Sequence, residues 1–292
     1  MDILEPLLPT TDEELVTVLG IIHVIGAIIT FTTAIFPIPY GRYSDTVKFT
    51  GITIGGQNLW RCFCVTWITP LIVGMVTPNR MLVHPLNVLA LLMYISHYVY
   101  RSMIYPNLFM KNASCWPIES AMTAILACAF NGFIQSFHLL NVHRINGLGT
   151  VGLLGIFLFV TGLSVNVYHD KLLANLRQKS GKGQTRAGKY HIPRGGLFEY
   201  ISAANYFGEI VEWWGLALFT RGFPQVMFGV TTIALIGVRG WQHHQFYKKT
   251  FGRAYPPQRK KRHIRKVYLL EEIIQNFPTR KIIILKKMFI KH

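Results

Sequence analysis

Three groups of polar side chains sit inside apolar, helix-length stretches at spacings that bring each group onto one helix face. Asn205, Glu209 and Glu212 recur at i, i+4 and i+7 and project from one side, while Ile210, Val211, Trp213 and Leu216 cover the others. Asn166, Asp170, Leu173 and Arg177 fall at i, i+4, i+7 and i+11 and share a second face that runs toward a basic loop. Tyr94, Tyr98 and Arg101, close to His97, make a third group. Amides and carboxylates hydrogen-bond ribose hydroxyls or a carboxamide, and a guanidinium clamps a phosphate bidentately, so the first two faces together suit a dinucleotide. A phenol that reaches a cavity is a proton donor toward a carbonyl oxygen. Residue type and spacing leave two alternatives open: carboxylates paired with an arginine to hold helices together, and tyrosines anchored at the headgroup belt.

The elements that must position these groups are membrane helices. Of 292 residues, 51% are hydrophobic and only 15% charged, and the mean hydropathy is +0.31. A soluble domain of this size carries about a quarter charged residues. Between Trp60 and Tyr168 the sole acidic residue is Glu119, an interval no soluble fold leaves so bare. Apolar runs long enough to cross about 30 Å of hydrocarbon cover 15–37, 61–78, 85–106, 119–141, 149–168, 205–220 and 223–241. The expected fold class is therefore all-α, a polytopic seven-transmembrane helix bundle. The first run is read as an anchor and not a cleavable signal, because Asp2, Glu5, Asp12, Glu13 and Glu14 precede it where a signal is basic.

The net charge of +17 is unevenly placed: 14 of the 30 Lys and Arg lie in 248–292 and six in 177–194. With seven passes the positive-inside rule puts both clusters in the cytosol and the acidic N-terminus in the lumen. The expected lumenal loops then hold only Arg80, Arg144 and Arg221. Orientation and attraction to anionic headgroups account for the charge, and no nucleic-acid partner is expected. Cys62, Cys64, Cys115 and Cys128 form no CxxC and have no His at ligand spacing, so neither a metal site nor a disulfide framework is expected. The Asn112-Ala-Ser sequon falls on the expected cytosolic side, where it is not modified. The longest polar interval, 169–204, holds Gly181, Gly183, Gly188 and Pro193-Arg-Gly-Gly196, a composition suited to cradling phosphates or to a plain linker.

These residues resemble the steroid 5α-reductase (3-oxo-5α-steroid 4-dehydrogenase) family. The resemblance runs along most of the first 260 residues and is strongest after residue 160. Its blocks are Asn166-Val-Tyr-His-Asp170 with Arg177, Tyr190-His-Ile-Pro-Arg-Gly-Gly-Leu-Phe198, Ser202-Ala-Ala-Asn-Tyr-Phe-Gly-Glu-Ile-Val-Glu-Trp213, His243-His-Gln-Phe-Tyr247 and Tyr255-Pro-Pro-Gln-Arg-Lys260. Upstream, Tyr40-Gly-Arg-Tyr-Ser44, Trp60 and His97-Tyr-Val-Tyr-Arg101 also fit and favour the steroid-reducing branch over enoyl-CoA and polyprenol reductases. The resemblance implies a seven-helix domain over 1–260 in the endoplasmic reticulum membrane, its N-terminal part facing a lipid substrate and roughly 160–260 holding NADPH. It implies cofactor contacts at Asn166, Asp170, Leu173, Arg177, Tyr190, Asn205, Glu209 and Tyr247, with support from Arg239, His243 and Arg259. It implies hydride addition to C5 of a 3-oxo-Δ4-steroid, with Tyr98 polarising the C3 ketone and Trp60 and Arg101 on the substrate side. Oligomeric state is left open, and a monomer is compatible with everything read here.

The substrate side departs from the family pattern. The family places a glutamate four residues after the matching tryptophan as the tyrosine's partner, and here that position is Cys64. A basic substrate-side residue of the family falls at Thr123, and Lys111-Asn-Ala-Ser-Cys-Trp116 replaces a Gly-rich turn. These changes leave room for an enone reductase of a different membrane lipid, or for a relative that binds NADPH or lipid without turnover. Residues 261–292 form a basic extension beyond the family's usual end.

Overall fold

The computed structural model describes residues 11–33, 50–110, 113–179, 190–256 and 259, without the side chains of 27, 29–33 and 177–179. The described chain is mostly helical. Helix α1 (Asp12–Thr33) is followed by a two-residue strand β1 (Thr53–Ile54) and by α2 (Gly56–Cys62) and α3 (Val65–Val76), which break at Phe63 and Cys64. Helix α4 (Pro85–Val99) opens with Pro in its first turn and passes through a π turn, Tyr100–Ile104, into α5 (Tyr105–Phe109). Strand β2 (Trp116–Pro117) pairs antiparallel with β1, Thr53 facing Pro117 and Ile54 facing Trp116, a small ribbon the all-α reading did not anticipate. Then come α6 (Ile118–Phe137) with a π turn at His138–Val142, α7 (Gly149–Lys179), α8 (Ala204–Thr220), α9 (Phe223–Thr232), a π turn at Ile233–Gly237 and α10 (Val238–Phe251).

Among the described residues, four helical segments are long and apolar enough to cross a membrane: Gly56–Val76, Ile118–Val142, Gly149–Leu176 and Phe223–Ala254. The other three apolar runs lie on α1, α4 and α8. Helix α8 is 17 residues long and carries two carboxylates. The bundle's outer surface is rich in exposed Leu, Ile, Val, Met and Phe, among them Met75, Leu126, Phe157 and Val160, as a hydrocarbon solvent requires.

Helices α7 and α8 pack most closely, and the cause is a glycine seam. A Cβ added at Gly155, Gly162, Gly208 or Gly215 would stand under 3.0 Å from backbone atoms of the facing helix. The seven-residue spacing within each helix, 155 to 162 and 208 to 215, keeps the bare positions on one face, and small residues let membrane helices approach backbone to backbone. This closeness sets the stripe on α7 directly against the stripe on α8. Around it lies an apolar core of Tyr94, Met93, Leu139, Leu140, Phe159, Trp213, Leu216 and Phe219.

At one end of the bundle, short polar bonds lace the turns together. Asn87 Nδ2 donates to the Leu139 and His143 carbonyls at 2.8 and 2.6 Å and its Oδ1 accepts from Ile145 N–H at 3.0 Å, while Arg221 Nη2 reaches Gly147 O at 2.9 Å. Helix α8 stops there because Arg221 adopts a left-handed conformation, φ 55°, followed by Gly222 and Pro224.

Candidate functional site

The polar faces of α4, α7 and α8 converge on one buried ion cluster. Arg101, on the π turn after α4, donates through Nη1 to Asp170 Oδ2 at 2.9 Å and through Nη2 to Glu209 Oε2. Asp170 also accepts from Tyr100 Oη at 3.0 Å and from Asn205 Nδ2 at 3.0 Å. Glu209 accepts from Asn166 Nδ2 at 3.3 Å. His97 Nδ1 lies 2.8 Å from Glu212 Oε1, and its Nε2 lies 3.7 Å from Glu209 Oε1. Asn166, Glu212, His97 and Asp170 are at most 1% exposed. Charges so deep in a bundle persist only when paired. The pairing of carboxylates with an arginine that the spacing left open is thus present, and it ties α4 to both α7 and α8.

Arg101, expected on the substrate side, therefore joins the two carboxylates expected on the cofactor side. Its guanidinium lies 5.5 Å from the Trp60 ring and 5.2 Å from the Tyr105 ring, which brings Trp60 of α2 to the same cluster. The π turn matters here. One extra residue in the turn re-aims the side chains that follow Val99, and Tyr100 and Arg101 both reach Asp170.

Tyr98 stands beside this cluster and not within it. Its ring is 5.0 Å from His97, 5.0 Å from Tyr94 and 5.6 Å from Trp213, centroid to centroid. Its hydroxyl oxygen accepts from Asn131 Nδ2 at 3.3 Å, and the same nitrogen donates to Tyr94 Oη at 3.1 Å. Cys64 caps the start of α3 at the break after α2 and is half-buried. Thr123 is exposed, its hydroxyl donating to Glu119 O of its own helix at 2.9 Å, so it points away from Tyr98 and its neighbours. Glu119 holds Thr50, accepting from its N–H at 2.8 Å and its hydroxyl at 2.5 Å.

A second group gathers where 190–203 packs on α7 and α10. Gly195 and Gly196 take φ of +91° and +53°, the left-handed side that glycine adopts without strain, and a Cβ on Gly196 would meet the His169 ring. His169 donates from Nδ1 to Val165 O at 2.6 Å, which leaves Nε2 to accept from Leu197 N–H at 2.9 Å and anchor the turn to α7. Glu199 accepts from Gly195 N–H at 2.7 Å, and that bond, with Arg194 beside it, holds the Glu199 carboxyl below the usual range. Arg259 is fully buried, donates to Pro193 O at 2.7 Å and lies over the Tyr255 ring at 5.4 Å. Tyr190 meets Phe246 edge-on at 4.9 Å. Tyr247 is buried and stacked on Tyr255 at 5.9 Å. Arg239 reaches Gln242 at 3.3 Å, and His243 reaches the Tyr206 hydroxyl at 3.4 Å. Leu173 is half-buried on α7.

The expected residues thus divide into an ion cluster, a phenol beside it, and a cationic turn. The Arg177 side chain, the Tyr40–Ser44 block, the glycines at 181, 183 and 188, Asn112 and the 261–292 extension lie outside the described residues. Four contributors were not singled out for a role from sequence. Asn131 and Gln135 sit on α6 at i and i+4, His169 lies inside a quoted block, and Tyr100 is adjacent to a chosen arginine. Helical spacing on α6 was the available signal for the first two.

A dinucleotide needs acceptors for amide and ribose hydrogens and donors for phosphates. Asn166 Oδ1, Arg101 Nε, and Arg259 Nε and Nη1 are buried and lack hydrogen-bond partners among the described residues. With the Asp170 and Glu209 carboxylates they make a donor and acceptor set that fits such a group.

The chain is similar to a family of known proteins. The family model described as 3-oxo-5-alpha-steroid 4-dehydrogenase matches residues 114–264. The chain is 36% identical over 235 residues to 3-oxo-5-alpha-steroid 4-dehydrogenase 1 of Rattus norvegicus, covering 76% of this chain and 83% of that one. It is 31% identical over 240 residues to 3-oxo-5-alpha-steroid 4-dehydrogenase 2 of Macaca fascicularis, covering 81% and 90%. It is 31% identical over 259 residues to the steroid 5-alpha-reductase DET2 of Solanum lycopersicum, covering 86% and 96%.

Proposed function

From the premise that this chain belongs to the 3-oxo-5-alpha-steroid 4-dehydrogenase family, and is an oxidoreductase acting on CH–CH groups, we propose that it reduces the C4–C5 double bond of 3-oxo-Δ4-steroids to 5α-steroids with NADPH. We place it in the endoplasmic reticulum membrane as a seven-pass bundle over 1–260, N-terminus lumenal and C-terminus cytosolic, with the steroid entering from the bilayer. The observation that carries the reading is the position of Tyr98. A half-buried phenol stands beside a cluster of Asn166, Asp170, Asn205 and Glu209, separated from it by His97.

Asn166, Asp170, Asn205 and Glu209 would hold the nicotinamide and ribose end of NADPH. The turn at Gly195 and Gly196, with Arg177, Tyr190, Arg239, His243, Tyr247 and Arg259, would hold its phosphates and adenine. The chemistry NADPH supplies when bound is hydride to C5. Tyr98 donates a hydrogen bond to the C3 oxygen, where negative charge develops as C5 is reduced, and so lowers the barrier to the enolate. Arg101 donates to both Asp170 and Glu209 and so holds the two carboxyl groups in place inside an apolar bundle. Trp60, Cys64 and the aromatic wall of Tyr94 and Trp213 line the substrate side.

The test is NADPH-dependent reduction of labelled testosterone and progesterone by membranes containing the protein, beside a Tyr98→Phe variant. Product with a 5α-hydrogen that falls about 10²-fold in the variant supports the reading. Absence of product while NADPH binds would redirect the assignment to another enone lipid or to a binding role.

A further inference from the structure

We infer that Asn131 is the positioning residue of Tyr98, orienting its hydroxyl by donating to it. This inference rests on the reading of Tyr98 as the donor to the substrate ketone.

The argument begins at a group whose polarity is fixed. The Pro224 carbonyl only accepts, so the Gln135 amide atom 3.1 Å from it is Nε2. The second hydrogen of that nitrogen goes to the Asn131 amide at 3.3 Å, and the atom it meets must therefore be the acceptor, Oδ1. Asn131 then has its Nδ2 turned to the two tyrosines, giving one hydrogen to Tyr94 Oη and one to Tyr98 Oη. Each amide orientation follows from the one before it, and the chain starts from a backbone atom.

The consequence for Tyr98 is chemical. Its oxygen is supplied with a donor, which leaves its own hydrogen, otherwise shared with the Tyr94 hydroxyl, to give to a ketone. A donor on a phenol oxygen also polarises the O–H bond and makes it a stronger donor in turn, the cooperative effect of a hydrogen-bond chain in a low-dielectric site. Both amides are nearly inaccessible, Asn131 3% and Gln135 2% exposed, which holds the orientation against competing water. Packing reinforces this. Gly132, next to Asn131, faces the Thr66 carbonyl and the Thr69 side chain of α3, with room for a Cβ only at 3.0 Å from both, so the helix turn carrying Asn131 is pinned. The titratable groups around the hydroxyl are Tyr94 and His97 on α4, Cys128 on α6 and Glu209 on α8. None of them takes the part of Asn131, because only an amide nitrogen here has two hydrogens to give to two phenols.

Asn131→Asp is the discriminating change, nearly isosteric and opposite in hydrogen-bond sense. Ionised, the new carboxylate accepts the Tyr98 hydrogen and withdraws it from the ketone; protonated, its single O–H can donate to Tyr98 in place of the amide, though no longer to both phenols. The experiment compares full-length wild type, Asn131→Asp, Tyr98→Phe and the double variant in detergent, with NADPH and labelled testosterone, from about pH 5 to 8, together with NADPH affinity. The inference expects kcat in Asn131→Asp to fall about tenfold at the upper end at nearly constant KM and NADPH affinity, and to recover as pH falls. It also expects no further loss when the change is added to Tyr98→Phe. A variant as active as wild type at every pH, or losses that multiply in the double variant, would overturn it. If Asn131→Asp loses NADPH as well, Gln135→Met decides: lower kcat at unchanged NADPH affinity supports the orientation chain, and unchanged kcat removes it. A wild type that binds NADPH and reduces no enone would instead refute the reductase reading on which this one stands.

Discussion

On the α7–α8 side, backbone lies on backbone through four glycines, and Asp170, Glu209 and Glu212 each meet a basic side chain. On the side built from α2, α3 and α6, the bonds away from solvent among the described residues are neutral: Trp67 Nε1 to Ser102 at 3.0 Å, Gln57 to Pro106 O at 2.9 Å, Asn131 to two tyrosines. The first region cannot lose Arg101 without leaving two carboxylates facing each other in an apolar bundle. The second can exchange residues at the cost of single neutral hydrogen bonds, about 1 kcal/mol each. This asymmetry leaves positions such as Cys64 and Thr123, which hold no buried charge, freer to vary than Arg101.

The comparison breaks most severely at the seam. Gly162→Leu drives a side chain into the backbone of α8 at Glu212, where overpacking of about 1–3 kcal/mol is a lower bound because backbone cannot step aside. The expected outcome is no folded, NADPH-binding protein in detergent, read by size-exclusion chromatography and cofactor binding. Next is Arg101→Met, which leaves Asp170 and Glu209 facing each other unneutralised. About 3–5 kcal/mol of stability should be lost in thermal unfolding, and adding Asp170→Asn should restore part of it.

A change on the other side should behave differently. Cys64→Glu is expected to alter turnover or the preference between testosterone and progesterone while NADPH affinity stays within about twofold. Equal damage to cofactor binding would erase the distinction between the two regions. The smallest effect is expected at Glu199. Its carboxyl is held below the usual range by the Gly195 N–H, so this bond is present above the unfolded value near about 4 and is lost as pH falls through the folded value. Glu199→Gln should weaken NADPH binding slightly at neutral pH, and wild type should approach the variant in acid.

The stripes on α7 and α8 were legible because a helix repeats every 3.6 residues, and spacing alone places Asn205, Glu209 and Glu212 together. That α8 faces α7 was also written in the sequence, in the seven-residue glycine spacing, but as a missing side chain and not as a chemical group. The pairing of Arg101 with Asp170 was not legible, since it depends on a π turn that shifts α4 by one residue. Asn131 was passed over for a related reason. An asparagine on an apolar helix has no partner until α4 packs against α6, and spacing along one helix says nothing of the other. The break at Phe63 and Cys64 likewise carries no proline or glycine to announce it.

The central claim is that cofactor binding and ketone activation reside in separate regions. It is tested most directly by the NADPH affinity of purified wild type, Tyr98→Phe and Glu209→Ala. The account predicts that Tyr98→Phe binds NADPH within about twofold of wild type while Glu209→Ala binds at least about tenfold more weakly, a difference of about 1.4 kcal/mol or more. Equal affinity in all three, or equal loss in both variants, would contradict it.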